Sequence, residues 1–440
     1  MKKVLIIAYY FPPSGGSGVQ RTLKFVKYLQ EFGWEPVVLT ARNADYPAID
    51  ETLFSEIPKG IKIYRSKIIE PYKLYRRLTG KADGESTDIA TLTLDEAQKQ
   101  KISEQIAEWV RSAFFVPDAR IGWYLFASAL GKKIIKREKI DIIYSSAPPY
   151  TTHLIGLKLH RYSGIPWVAD FRDSWIGWLS TPQWRPKISR AIEMRMEKSV
   201  LQNADKILTV SGGVQEDLLS RHENLRDDRW QLLANGYDAD DFANVKAMHR
   251  DERLTITYTG SLYGNRNPEY LVRALESIHA ENPHLLQKLL IRFVGRVGEP
   301  IAKRMKSSPV HFVFKIIPYV THAESLDYLL SGDISLLIID DAPANRGILT
   351  GKLFEYIGAG KPILALAPEG DAAELIRSHN LGRVISPKNV AEIKNAILAF
   401  WDNPSTGTLK QGGQKEHGDK FERRYQTKEL ANLFDALGNN

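Results

Sequence analysis

The sequence predicts an α/β protein with two doubly wound, Rossmann-like domains, each formed by a parallel sheet with helices on both faces. Three observations support this fold class. The chain has 440 residues, more than one hydrophobic core usually organises. Short β-rich runs alternate with helical stretches in two successive series, a spacing that suits βαβ crossovers. Most of these runs are apolar throughout, as strands covered on both faces are.

Each series contributes one predicted sheet, and the segment "NGYDADDF" (235–242) separates the two. We therefore assign an N-terminal domain to residues 1–235 and a C-terminal domain to residues 236–415. Residues 416–440 contain apolar positions at helical spacing and are assigned to a final helix. The predicted strands are 4–10, 36–40, 61–65, 140–146, 166–171 and 206–210, then 254–260, 290–295, 311–317, 334–340, 362–367 and 382–386.

Composition excludes several classes of protein. The chain has no cysteine, which excludes disulfide frameworks and thiolate chemistry and suits a reducing compartment such as the cytoplasm. No apolar run approaches the ~20 residues that a membrane-spanning helix needs. A net charge of +8 is compatible with a nucleotide, a nucleic acid or a lipid surface as partner. Because no recognition-helix pattern or zinc-ligand spacing is present, we expect no nucleic acid partner.

The positive charge is concentrated in residues 59–81. Basic side chains recur through this segment, and Glu70 is its only acidic residue. Isoleucine and tyrosine residues are interleaved with the basic ones, a mixture that fits an anionic lipid interface. The alternative is a solvated face over a few core residues.

The first loop, "YYFPPSGGSGVQR" (9–21), connects the first predicted strand to a helix. Such a loop lies at the carboxyl edge of a parallel sheet, where open α/β sheets bind ligands. Gly16 and Gly18 would let a ligand approach the backbone, and the helix start favours an anionic or oxygen-rich group. Arg21 stands where a dinucleotide fingerprint needs its third glycine, so dinucleotide binding is disfavoured. A tight turn without a ligand is the alternative.

The segment "GILTGKLFEYIGAGKPILALAPEG" (347–370) is the most informative one. Thr350 and Gly351 start a predicted helix, with Thr350 as its N-cap. Lys352 then lies in the first turn, where the helix dipole disfavours a cation unless an anion is bound against both. Glu355 lies three residues further on the same face. We predict that Lys352 holds a diphosphate and that Glu355 accepts from ribose hydroxyls; a Lys352–Glu355 surface pair is the alternative.

Two more strand–glycine–helix junctions belong to the same predicted domain. "YTGSLYGNRNPEYL" (258–271) carries Gly260 and Arg266, and "FVGRVG" (293–298) carries Gly295 and Arg296. Arg266 could contact the same phosphates as Lys352. Three such loops at the strand ends of one domain outline a nucleotide site.

These motifs, in this order and over nearly the whole chain, resemble glycosyltransferase family 4 of the GT-B fold, in its polysaccharide-assembly type. The resemblance implies a retaining hexosyl-type transferase that moves a sugar from a nucleoside diphosphate sugar to a hydroxyl acceptor, with no metal ion and no cofactor. It places the donor on the C-terminal domain and the acceptor on the N-terminal one, and it makes the last helix pack back on the N-terminal domain.

One departure concerns the two glutamates that the family often carries in an E-x7-E arrangement. Glu355 matches the second, but the first falls at Gly347, so that the motif is closer to S/T-x-K-x-x-E-Y. Asp340, Asp341 or Asn345 could make the missing contact to the sugar.

The resemblance also implies that an Asp or His after the strand in "ADFRDSW" (169–175) reaches the reaction centre. Asp173 and Asp170 are the candidates, with Asp173 preferred because an R-D-x-W pattern recurs in similar sequences. A structural ion-pair cluster with Arg172 is the alternative. Lys352 and Arg266 would assist catalysis by stabilising the leaving diphosphate. His153 receives little weight, because a lone histidine is more often structural.

Three further expectations concern metal binding, the membrane and competing functions. Asp238-Ala239-Asp240 is formally a DxD motif, but nothing around it supports a metal site. If residues 59–81 bind anionic lipid, the protein would be peripheral on the inner face of the membrane and the acceptor could be lipid-linked. The competing functions are a GT-B-fold sugar-nucleotide epimerase or phosphorylase, and a non-catalytic nucleotide-sugar-binding protein.

Overall fold

The computed structural model describes residues 1–46, 48–69, 116–176, 186–243, 245–264, 266–342, 345–402 and 419–438. These residues form two compact units. The first contains the described residues up to Ala234 together with those from Arg424 on, and the second contains the described residues from Asn235 to Arg423. Each unit has one parallel sheet with helices around it, which confirms the predicted fold class.

The sheet of the first unit has the strand order β3-β2-β1-β4-β5-β6-β7. The direction of the order reverses between β1 and β4, and this is the point where doubly wound sheets open a crevice for ligands. Six of the strands match predicted runs, but β7 was missed because it has only three residues, Trp-Gln-Leu, and no continuous apolar run. The strands are β1 Lys2–Ile7, β2 Trp34–Ala41, β3 Lys62–Ser66, β4 Ile142–Ala147, β5 Trp167–Phe171, β6 Lys206–Thr209 and β7 Trp230–Leu232.

Both faces of this sheet are covered, which explains its apolar strands. Alternate side chains of β1 enter different cores: Val4 and Ile6 face one, and Leu5 and Ile7 face the other. Helices Ser17–Tyr28 and Arg423–Gly438 cover the core that contains Val4 and Ile6. The helices that close the other core are Tyr124–Glu138, Thr151–Ser163, Lys187–Asn203 and Gly212–Arg221.

The sheet of the second unit has the order β10-β9-β8-β11-β12-β13, with its switch point between β8 and β11. The predicted strand 311–317 begins later, because His311–Val313 forms a 3₁₀ turn. The strands are β8 Leu254–Thr259, β9 Leu289–Val294, β10 Phe314–Ile317, β11 Ile334–Ile338, β12 Ile363–Leu366 and β13 Gly382–Ile385. The helices are Ala239–Ala243, Glu269–Glu281, Glu299–Lys306, His322–Leu330, Gly351–Ala359, Asp371–Ser378 and Val390–Asp402.

Helix Gly351–Ala359, here called the Lys352 helix, packs against two chain segments, one at Tyr237 and one at Phe421. The backbone N–H of Tyr237 donates to Phe421 O at 2.9 Å, which pairs the start of the second unit with its end. A Cβ at Gly358 would lie 2.7 Å from the Tyr237 ring, so only glycine admits this close packing. This packing fixes the helix in place, and with it the position of its first turn.

Candidate functional site

Glycines bring two loops close together at the carboxyl edge of the second sheet. Gly260 follows β8 and has φ +106°, and Gly295 follows β9 and has φ +134°. Residues that carry a Cβ rarely adopt these backbone conformations. A Cβ on Gly295 would lie 2.4 Å from Gly260 O. The two backbones thus pack as closely as glycine allows, next to the switch point of the sheet.

The Lys352 side chain extends over the end of β8. Its Nζ donates to the Tyr258 hydroxyl at 2.6 Å, and a Cβ at Gly260 would lie 2.4 Å from its Cε. Gly260 therefore leaves the space that the lysine stem occupies, and the structure brings these two predicted site residues together.

The surroundings of Lys352 disfavour the positive charge of its side chain. Burial lowers the pKa of Lys352 well below its usual range, the positive charge of Arg266 lowers it further, and Glu355 opposes the shift. Burial also raises the pKa of Tyr258 to about 12, so the phenol that meets Lys352 is neutral. Lys352 lies in the first turn of a helix, at its positive end, and Arg266 is close enough to lower its pKa. An anionic ligand would stabilise this arrangement.

Thr350 stands at the predicted N-cap position of the Lys352 helix, but its side chain does not cap the helix. The buried Thr350 Oγ1 has no hydrogen-bond partner in the part of the chain that the structure describes. An uncapped helix start with a buried hydroxyl beside it can supply hydrogen bonds to an oxygen-rich ligand.

Glu355 lies one turn further along and forms a pair with a residue that sequence reasoning missed. His322 Nε2 lies 3.2 Å from Glu355 Oε1, and His322 Nδ1 lies 4.0 Å from Asp241 Oδ2. The histidine is the first residue of helix His322–Leu330. No local pattern links it to Glu355, which is 33 residues away, so only the tertiary structure reveals the contact.

The remaining candidates of the second unit lie in the loops around this edge. The Arg296 guanidinium lies 6.0 Å from the ring centroid of Tyr319. Burial raises the pKa of Asp340, with Arg266 opposing the shift. Asn345 Nδ2 donates to Asp340 O at 2.9 Å, and within the described chain its buried Oδ1 lacks a hydrogen-bond partner.

The glycine loop of the first unit is tied to its neighbours by Arg172. Gly16 has φ +84° and precedes helix Ser17–Tyr28. The Arg172 guanidinium donates to the backbone carbonyls of Gly18, Ala147 and Pro148. The sequence suggested Arg172 only as an ion-pair partner of aspartates. The structure shows it joining the start of helix Ser17–Tyr28 to the end of β4 and the loop that follows β4, at the switch point.

The two aspartates of "ADFRDSW" have different environments. Asp170 is fully buried and accepts hydrogen bonds from Arg21 at 2.8 and 2.9 Å and from Tyr144 at 2.6 Å. Asp173 is exposed, yet desolvation by the surrounding protein raises the pKa of its carboxyl to about 6, with the charge of Arg172 opposing the shift. Of the two, only Asp173 can meet a ligand.

His153 lies in the interior of the first unit. Its Nδ1 lies 2.8 Å from Ser145 Oγ, and burial lowers the pKa of its ring to about 3. It is therefore a neutral structural histidine, in agreement with the small weight that the sequence analysis gave to it.

Comparison with known protein families agrees with this architecture. Residues 81–241 match the model described as Glycosyltransferase Family 4, and residues 253–403 match the model described as Glycosyl transferases group 1. The chain belongs to the family 4 glycosyltransferases. The expected family is thus confirmed, and with it the assignment of the chain as a glycosyltransferase.

Solved structures with low sequence identity show the same GT-B fold. Sucrose-phosphate synthase from Thermosynechococcus elongatus superposes with a TM-score of 0.63 at 14% identity, covering 99% of both chains. TarM from S. aureus, solved with Fondaparinux, alpha-GlcNAc-glycerol and UDP, gives 0.61 at 10% identity and covers 99% of this chain and 100% of its own. S. aureus MnaA, solved with UDP, gives 0.54 at 14% identity over 100% and 97%. No curated protein sequence matches the chain.

Proposed function

We propose that this glycosyltransferase moves a sugar from a nucleoside diphosphate sugar to a hydroxyl acceptor with retention of anomeric configuration. The observation that carries the proposal is Lys352 in the first turn of an uncapped helix, with Arg266 close enough to lower its pKa. Two proteins of the same fold were solved with UDP, which supports a nucleotide ligand of this kind. The product would be a cell-surface polysaccharide or glycoconjugate, as the family resemblance implies.

Each candidate residue would have a definite role in this reaction. Lys352 and Arg266 would stabilise the negative charge that develops on the leaving diphosphate. Glu355 would accept hydrogen bonds from the ribose. In the first unit the loop of Gly16 and Gly18 would contact an oxygen-rich part of the substrates. The other donor-side residues are Gly260, Gly295, Arg296, Thr350 and Gly351.

Product analysis tests this function. We would incubate the protein, without metal, with UDP-, GDP- and ADP-sugars and a hydroxyl-acceptor extract, and determine the anomeric configuration of the product by NMR. The proposal predicts release of the nucleoside diphosphate that depends on the acceptor, with the donor configuration kept. Conversion of the sugar nucleotide without an acceptor would indicate an epimerase, and dependence on inorganic phosphate a phosphorylase. Binding without turnover would indicate a non-catalytic nucleotide-sugar-binding protein.

Asp173 provides a prediction about pH. If its carboxylate acts at the reaction centre, kcat/KM should fall as pH drops below about 6, because the raised pKa places protonation there. Asp173→Asn should remove this acid limb and lower kcat about 10²–10⁴-fold. Asp228→Asn changes an exposed aspartate of the same unit and serves as the control. An unchanged pH profile in Asp173→Asn would remove this residue from the mechanism.

His322 is predicted to orient Glu355 toward the ribose, because its ring nitrogen contacts one carboxylate oxygen. The wild type should prefer ribonucleoside diphosphates over their 2′-deoxy forms by about 10–100-fold, the range expected for a hydrogen bond to a charged group. His322→Ala should reduce this preference several-fold, and Glu355→Gln should reduce it more. We would measure affinity for UDP, GDP and ADP and their 2′-deoxy forms, with His284→Ala, an exposed histidine, as control. Equal weakening of ribo and deoxy forms would contradict the role.

Membrane association through residues 59–81 remains part of the proposal, together with a location on the cytoplasmic side of the membrane. Residues 70–81 lie outside the described residues. In the described part, Lys62 pairs with Glu138 and Arg65 donates to Pro12 O, so two of the basic residues already have protein partners. No helix among the described residues is long and apolar enough to cross a membrane.

A further inference from the structure

Three neighbouring helices of the first unit share an unusual distribution of charge. Helices Tyr124–Glu138, Thr151–Ser163 and Lys187–Asn203 pack side by side over one core, and the structure describes all of their residues. We call their outer surface the three-helix face. Its exposed charged residues are Lys133, Lys136, Arg137, Lys158, Arg161, Lys187, Arg190, Arg195 and Lys198.

The acidic residues of these helices all point inward. Glu138, Glu193 and Glu197 are exposed by only 5%, 0% and 0%. Glu197 accepts from Arg221 at 3.0 Å and lies 3.0 Å from His222 Nε2, so its charge is used inside the unit. The three-helix face therefore carries many cations and, within these helices, no exposed acid.

Large apolar side chains lie exposed among these cations. Leu125 and Ile188 are each 72% exposed, Tyr162 is 41% exposed and Ile192 is 38% exposed. Ile188 and Ile192 are one helical turn apart. Isolated exposed apolar residues are common, but aliphatic and aromatic side chains set within a cationic surface are typical of contact with an anionic lipid interface.

The charge pattern ends at a definite edge. Helix Gly212–Arg221 covers the same core, but it exposes Glu216, which pairs with Arg226 at 2.7 Å. Segregation of charge is thus a property of the three-helix face and not of every helix around this sheet.

We propose that the three-helix face docks on an anionic lipid bilayer, with Ile188 and Ile192 entering the interface and the surrounding cations meeting lipid headgroups. This surface differs from residues 59–81, and the inference does not depend on the donor-site assignment. A nucleic acid or a soluble acidic polysaccharide would use the same cations but would gain little from the exposed aliphatic side chains. The apolar residues therefore favour a membrane.

Flotation of the full chain with vesicles tests the proposal. Vesicles of phosphatidylcholine with about 30% phosphatidylglycerol should bind the protein at low salt, and pure phosphatidylcholine should not, since the attraction is electrostatic. The triple variant Arg190→Glu, Arg195→Glu, Lys198→Glu should weaken binding on the order of 100-fold. The pair Ile188→Ser and Ile192→Ser, which keeps every charge, should weaken it about tenfold or more.

Two control variants make the result specific. Lys288→Glu, Lys303→Glu, Lys306→Glu changes the charge by the same amount at exposed lysines of the second unit and should leave binding intact. The double variant Lys59→Glu, Lys67→Glu changes two exposed lysines. It measures how much the described part of the 59–81 segment contributes to vesicle binding, separately from the three-helix face. Circular dichroism melts establish that each variant is folded.

Three outcomes would overturn the proposal. One is no binding to phosphatidylglycerol vesicles at low salt, and another is equal loss of binding in the second-unit control. The third is wild-type binding by the serine pair combined with equally strong binding of heparin or single-stranded DNA, which would assign the face to a soluble polyanion. None of these outcomes bears on nucleotide binding, which is measured separately in the absence of vesicles.

Discussion

Replacement of Lys352 by methionine is expected to stabilise the ligand-free protein and to abolish its response to nucleoside diphosphates. The pKa of Lys352 is lowered by burial and by Arg266, which means that folding disfavours its charged form. Methionine keeps the length of the stem and removes the charge. Tyr258 still donates to Ser261 O at 3.0 Å, so no buried hydroxyl loses its last partner. We expect a gain of about 0.5–2 kcal/mol, as in other functional sites relieved of strain.

The sign of the pH dependence follows from the same shift. The folded-state pKa lies below the unfolded one, so the unfolded chain binds more protons between the two values and the stability of the wild type rises with pH there. The advantage of Lys352→Met should therefore be larger at neutral than at alkaline pH and disappear as pH rises through about 10.4, the ordinary lysine value. Differential scanning calorimetry across this range measures it, with about 2–4 °C expected per kcal/mol.

Lys361 offers a matched control at the other end of the Lys352 helix. Burial lowers its pKa as well, but it lies beyond the last turn, away from the glycine loops. Lys361→Met is directly comparable because it removes the same charge with the same substitution. It should keep the thermal shift that a nucleoside diphosphate produces, whereas Lys352→Met should lose it. A shift of wild-type size in Lys352→Met would contradict the assignment of Lys352.

Breaking the ion pair between Arg21 and Asp170 is expected to destabilise the first unit by about 3–5 kcal/mol. Both side chains are buried, with 1% and 0% exposure, and Arg21 also donates to the carbonyls of Leu233 and Ala234 at 2.9 and 2.7 Å. Burial alone would raise the pKa of Asp170, but the charge and hydrogen bonds of Arg21, together with hydrogen bonds from Tyr144 and Ser146, outweigh it and lower the pKa. Removing one partner leaves the other charge buried without its counter-charge.

Urea denaturation of Arg21→Met, Asp170→Asn and the double variant measures this energy. The double variant should lose less than the sum of the two single losses, because it leaves no unpaired charge. Single losses below about 1 kcal/mol would contradict the account of the pair. If the folded fraction of Asp170→Asn keeps the wild-type kcat, the role of Asp170 is structural, and the catalytic proposal rests on Asp173.

Features that depend on local patterns could be predicted from the sequence. Buried parallel strands appear as apolar runs, and the loops at Gly260 and Lys352 combine glycines with a cation at a helix start. Arg21 could be noticed only as a departure from a glycine fingerprint, because its partner Asp170 lies 149 residues away. His322 had no sequence signal, since its contact with Glu355 arises from two helices brought together by the sheet.

The central claim is that the second unit binds a nucleoside diphosphate at Lys352, and a metal-free thermal-shift panel of UDP, GDP, ADP, CMP and their common sugars tests it most directly. A ligand at ~100 times its Kd should stabilise the folded state by ~2.7 kcal/mol. We expect a selective shift by one nucleoside diphosphate and its sugars, retained in Lys361→Met and lost in Lys352→Met. No shift with any nucleotide, or an equal shift in both variants, would contradict it.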